Sequence, residues 1–157
     1  MKTYVSHSLE ETSNFAREWL ERLSTNSSQG GGAIVTGLSG HLGAGKTAFV
    51  KALAKHLGIT EEITSPTFVI MKIYPTKNDL WKNLIHIDAY RLESRKEFNI
   101  LGFDKLVADK NNLIVVEWPE NVREVFNGIT GYRQINFKID DTDQAKEGES
   151  QRIITEG

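Results

Sequence analysis

The sequence predicts an α/β sandwich: a mostly parallel central sheet with antiparallel edge strands and helices on both faces. Three observations lead there. Helical and strand patterns follow one another in the order helix, strand, helix, two strands, helices, then three strands. A strand, a glycine-rich loop and a helix run consecutively over residues 33–58. Two further short apolar runs each end in a carboxylate, at Asp88 and at Glu117. A chain of 157 residues fits one domain, 1–157.

Each element has its own signal. Ser8-Leu9-Glu10-Glu11 is a capping-box pattern, and Phe15, Ala16, Trp19, Leu20 and Leu23 form one apolar face, so a helix is predicted from Leu9 to Leu23. Residues 24–32 (STNSSQGGG) read as a flexible connector. Ala33 to Leu38 is the first core strand. Val50, Leu53, Ala54 and Leu57 follow the loop at i, i+3, i+4 and i+7, and Gly58 stops that helix. Thr67 to Tyr74 reads as a strand, Pro75 to Lys82 as a polar turn, and Leu84 to Asp88 as the next strand. Glu93 to Asp109 predicts one or two short helices broken near Gly102. Leu113 to Glu117 is a short buried strand. Ile135, Phe137 and Ile139 alternate with polar residues, as in a strand with one wet face. Gln144 to Glu149 reads as a turn before a final strand, Gln151 to Thr155.

Composition sets limits on function. The chain is 39% hydrophobic and 25% charged, an ordinary globular balance. Its formal net charge of −2 gives no electrostatic case for a general nucleic-acid binder, so no DNA partner is expected. The absence of cysteine excludes disulfides, thiolate zinc sites and cysteine nucleophiles. Thr3 to Leu23 is too polar for a signal peptide, and no apolar run approaches a membrane span. A soluble cytoplasmic protein without a membrane partner is the expectation.

Gly40-His41-Leu42-Gly43-Ala44-Gly45-Lys46-Thr47 fits the phosphate-loop pattern G-x-x-x-x-G-K-[ST] at every fixed position. The glycines let the backbone curl so that successive N–H groups face phosphate oxygens. The helix that follows adds its positive N-terminal end. Lys46 would reach the outer phosphates, and the Thr47 hydroxyl would bind Mg²⁺. In open α/β sheets phosphate ligands sit beyond the carboxyl ends of the strands, which is where Asp88 and Glu117 belong. One of these acids would serve the metal, directly or through its water shell, and the other would orient or deprotonate water. Strand-end acids also cap helices, and that alternative stands for either one alone.

Neighbouring residues carry weaker signals. Thr64-Ser65-Pro66-Thr67-Phe68 occupies a place where loops close over a terminal phosphate, yet by itself it reads as a proline turn. Arg91 suits a surface ion pair better than a role on phosphate. His86 shares the face of Asp88 and reads as a hydrogen-bonded residue near the core. Packing is the default for Trp118. His41 is expected to point outward.

In combination, Gly40 to Thr47, Ser65-Pro66-Thr67-Phe68, His86-x-Asp88-x-Tyr90-Arg91-Leu92 and Glu117-Trp118-Pro119-Glu120 resemble the TsaE (YjeE) family of P-loop NTPase-fold ATPases. The similarity runs from about Ser8 to the strands after Trp118, and the last forty residues match in layout only. The resemblance implies an ATPase of bacterial tRNA modification, acting with TsaB and TsaD to install threonylcarbamoyl on adenosine and meeting tRNA indirectly through that complex. It implies ATP and Mg²⁺ as cofactors. Gly40, Gly43, Ala44, Gly45, Lys46, Thr47 and Ala48 then form the nucleotide-binding set. Thr47 and Glu117 match the Mg²⁺ ligands, Thr67 a switch-like threonine and Asp88 a catalytic acid, with Lys46 acting on the phosphates. Ser8 to Thr12 matches a region near the adenine. The chain departs from the family at His41, where Asp is usual, and at Ala48, where a second Thr is usual.

Three other readings compete. A small-molecule or nucleotide kinase would need an acceptor pocket and an arginine-bearing lid, and there is no arginine-rich insertion. A GTPase switch would need an Asn-Lys-x-Asp segment, which is absent from the sequence. A nucleotide-dependent binding module with negligible turnover would share the same motifs.

Overall fold

The computed structural model describes residues 1–26, 31–66, 69–140 and 150–157. Among them, seven strands form one sheet in the order β1-β7-β6-β2-β5-β4-β3. In chain order the elements are β1 (Lys2–Ser6), α1 (Leu9–Asn26), β2 (Ile34–Ser39), α2 (Lys46–His56), β3 (Met71–Pro75), β4 (Asn83–Asp88), α3 (Arg95–Ile100), α4 (Phe103–Ala108), β5 (Asn112–Glu117), a 3₁₀ segment (Pro119–Phe126), β6 (Arg133–Asp140) and β7 (Gln151–Glu156).

Strands β6, β2, β5 and β4 run parallel in the centre. Antiparallel pairs complete both edges: β3 on β4, and β7 then β1 beyond β6. Two apolar layers cover the two faces. On one, α1 and α2 bury Phe15, Trp19, Phe49 and Leu53 against Leu84, Leu113, Val115 and Phe137. On the other, α3, α4 and the 3₁₀ segment bury Phe98, Phe103 and Phe126 against Ile85, Ile87, Ile114 and Val116. The alternation along β4 and β5 follows from the pleat, which sends successive side chains to opposite faces. Central strands buried on both sides therefore read as unbroken apolar runs.

The elements agree with the sequence in most places. Gly58, at φ 75°, follows the end of α2, and Gly102, at φ 73°, breaks the chain between α3 and α4. Both angles lie in the left-handed region that glycine enters at no steric cost. Three differences have physical reasons. β1 was not expected, because only Ser6 of its five residues is buried and no apolar alternation marks it. The strand expected from Thr67 begins at Met71, since Ile70 takes φ 66° and its N–H bonds back to the Pro66 carbonyl. Helix α1 runs three residues past Leu23, to Asn26. The Gln144–Glu149 turn, and Thr67 with Phe68, lie outside the described residues.

Candidate nucleotide-binding site

Three adjacent strands deliver the site at their carboxyl ends. The parallel register sets Leu38 of β2 beside Glu117 of β5, and Glu117 beside Asp88 of β4. The phosphate loop leaves β2 at this level and opens α2. Its glycines adopt φ 150° at Gly40, 80° at Gly43 and 112° at Gly45. At Gly40 space is as decisive as angle, because a Cβ there would stand 2.5 Å from the Phe137 carbonyl oxygen.

Lys46 is buried, and its ammonium donates to the carbonyls of Gly40 and His41, the latter at 3.2 Å. Its Nζ also lies 4.3 Å from the centre of the Trp118 ring. A cation over an indole face is attracted by the ring quadrupole. Burial pushes the Lys46 ammonium below its usual pKa, while Glu117, Glu120 and Asp88 pull it back up. The lysine is thus held at the loop by carbonyl oxygens and an aromatic face, all groups a phosphate can replace.

The Thr47 hydroxyl donates to Glu117 Oε1 at 3.3 Å, and His86 Nε2 lies 2.8 Å from the same oxygen. Asp88 accepts from the Tyr90 N–H at 2.9 Å and from the Ser65 hydroxyl at 3.4 Å. Glu120 accepts from Ser39 at 2.9 Å, which in turn accepts from the Gln134 amide at 3.2 Å. A cleft of about 870 Å³ is lined among others by His41, Gly43, Gly45, Lys46, Thr47, Ala48, Ser65, Asp88, Glu117 and Trp118. A smaller cavity of about 330 Å³ adjoins the loop at Gly43, Gly45 and Ala48 and is bounded by His7, Ser8, Thr12 and Arg152.

The structure brings Lys46, Thr47, Asp88 and Glu117 together, as the sequence predicts. Ala44 is buried beneath the loop, and its N–H bonds to the His41 carbonyl at 3.0 Å. His41 is exposed, as expected, and so is Arg91, which does not line the cleft. Thr67 lies outside the described residues. Three features were missed: the cation–ring contact of Lys46 with Trp118, the Ser65–Asp88 bond and the His86–Glu117 bond. The shared face of His86 and Asp88 was readable, but its link to Glu117 depends on strand order.

Mg²⁺ takes oxygen ligands, few of them from protein, when it also holds phosphates. The Thr47 hydroxyl at the start of α2 and the Glu117 carboxylate at the end of β5, 3.3 Å apart, are oxygen donors of that kind.

A phosphate loop at the carboxyl edge of a parallel sheet, running into the helix it opens, defines a protein of the P-loop NTPase fold class. The family model described as "Threonylcarbamoyl adenosine biosynthesis protein TsaE" matches residues 6–152. The chain belongs to the TsaE family, whose members act in tRNA threonylcarbamoyladenosine biosynthesis. It is 35% identical over 142 residues to the tRNA threonylcarbamoyladenosine biosynthesis protein TsaE of Rickettsia typhi, covering 90% of this chain and 89% of that one. It is 43% identical over 93 residues to the Bacillus subtilis protein of the same name, covering 59% of this chain and 54% of that one. The crystal structure of Bacillus subtilis YdiB is similar at a TM-score of 0.63 and 27% identity, over 98% of this chain and 83% of that one.

Proposed function

We propose that this protein is a Mg²⁺-dependent ATPase that supports tRNA threonylcarbamoyladenosine formation together with TsaB and TsaD. The observation that carries the reading is the convergence of Lys46, Thr47, Asp88 and Glu117 on one cleft beside the phosphate loop. In this reading the loop N–H groups and Lys46 hold the phosphates. Thr47 and Glu117 hold Mg²⁺, which neutralises charge on the phosphates. Asp88, fixed by the Tyr90 N–H, orients the attacking water. The cavity beside His7, Ser8 and Thr12 receives the base.

Partner dependence has its own support. Leu42 and Tyr90 flank the cleft while 88% and 58% exposed, an apolar rim suited to being covered. Among the described residues no arginine lines the cleft, Arg91 included, so none there is placed to act on the outer phosphates in cis. The Ser65 segment touches Asp88, so loop position and hydrolytic state are linked, and hydrolysis changes affinity for the partner.

The test is reconstitution: unmodified tRNA, the enzyme that makes the threonylcarbamoyl donor, TsaB, TsaD and this protein. Wild type is expected to give multiple turnovers and Lys46→Ala to give few. Equal yields with wild type, with Lys46→Ala and with the protein omitted would sink the assignment.

A further inference from the structure

We propose that His86 is a positioning residue, one that holds the Glu117 carboxylate in its metal-facing orientation. The proposal rests on the reading of Glu117 as a Mg²⁺ ligand. His86 stands two residues before Asp88 on β4, in the layer that carries Leu84 and faces α2. It is fully buried, at 0% exposure, where an apolar side chain would cost nothing in lost hydration. Its one side-chain hydrogen bond among the described residues goes from Nε2 to Glu117 Oε1 at 2.8 Å. The Thr47 hydroxyl meets that same oxygen from α2 at 3.3 Å. Oε1 is therefore held from two directions, and the rotation of the carboxylate is fixed.

The tautomer follows from the partners. An ionised carboxylate only accepts, so Nε2 carries the hydrogen. Nδ1 is buried without a partner among the described residues. A donor at Nε2 orients Glu117 through Oε1. Lysine or arginine at this position would orient it equally well and compete with the cation. Groups that hold a ligating carboxylate commonly matter by about 10–100-fold in metal affinity.

The test separates metal binding from nucleotide binding. ADP affinity is measured by calorimetry with Mg²⁺ and with EDTA, and the ratio is the gain due to metal. His86→Phe keeps a ring but removes the donor; it is expected to leave the metal-free affinity unchanged and to cut the gain about tenfold. His86→Gln places an N–H near the Nε2 position and is expected to restore most of the gain. If the Phe variant fails to fold, His86→Asn, polar but too short to reach Oε1, takes its place. The inference is overturned if the Phe variant, or the Asn variant in its place, and the Gln variant keep the wild-type gain alike or lose it alike. A wild-type protein that binds no ADP under either condition overturns the proposed function itself, a separate result.

Discussion

At the scale of single residues, the proposed function divides labour between side chains that would hold phosphate and side chains that would act in turnover. Glu117→Ala and Asp88→Ala should lower single-turnover ATP hydrolysis by at least about tenfold while changing nucleotide affinity less, because transition-state contacts appear mainly in the chemical step. Either variant retaining the wild-type rate in rapid-quench measurements would remove that acid from the mechanism. Tyr132 offers a test free of the site. Burial, aided by Glu120, raises its phenol from 10.0 to about 12. The native fold thus favours the neutral form. This has no effect below pH 10; above it the unfolded chain ionises first, and stability falls as pH rises toward 12. Tyr132→Phe should flatten that decline in urea denaturation series at pH 9, 10, 11 and 12. The same variant removes a buried hydroxyl that lacks a partner among the described residues.

At the scale of elements, the strand-to-helix connection is the most constrained part of the chain. Gly40→Ala would drive a Cβ to within 2.5 Å of the Phe137 carbonyl oxygen, a backbone atom that cannot rotate away. A destabilisation of about 1–3 kcal/mol is expected from such overpacking, together with a loop too distorted to hold phosphate. Thermal unfolding and ADP titration read the two effects, and unchanged values in both would show that the loop has room to spare. This connection was also the most legible element, because its chemistry requires particular residues at fixed spacing. Buried strand β5 was legible from a continuous apolar run, β4 from Leu84, Ile85 and Ile87 around His86, and the α3–α4 break from Gly102. Edge strand β1 was not, since its pairing partner lies 150 residues away and one side chain alone is buried. The 3₁₀ segment was overlooked: it is kinked at Val122, with φ −139° and ψ 39°, so no unbroken helical period marks it. In the site, the acids could be placed because each ends a strand. Contacts between strands, such as His86 with Glu117, require a register that one chain's pattern does not contain.

At the scale of the whole molecule, one sheet separates two apolar layers that share no helix. Trp19 packs edge-on against Phe49 at 5.6 Å on one face, and Phe98 packs against Phe103 at 4.9 Å on the other. Trp19→Phe and Phe98→Leu should each cost about 1–3 kcal/mol. Because the layers are held apart by the strands, the double variant should match the sum within about 0.5 kcal/mol in urea unfolding. A larger departure would mean that strain crosses the sheet. The layered plan also explains why the site stands at the strand ends: both faces are occupied, and the carboxyl edge is where the loops converge.

Trp118 takes φ 59° and ψ 46°, a left-handed conformation that costs a side chain with a Cβ about 1 kcal/mol or more. In a continuing strand it would have faced away from Glu117, across the sheet. The turn instead lets two consecutive residues present a carboxylate and an indole to the same cleft. A single peptide unit therefore acts as a swivel shared by both: any rotation there displaces the indole from Lys46 and tugs on the Glu117 carbonyl, which accepts the Ala89 N–H at 2.9 Å, one residue beyond Asp88. Three charged groups from three different elements are geared together through one backbone joint.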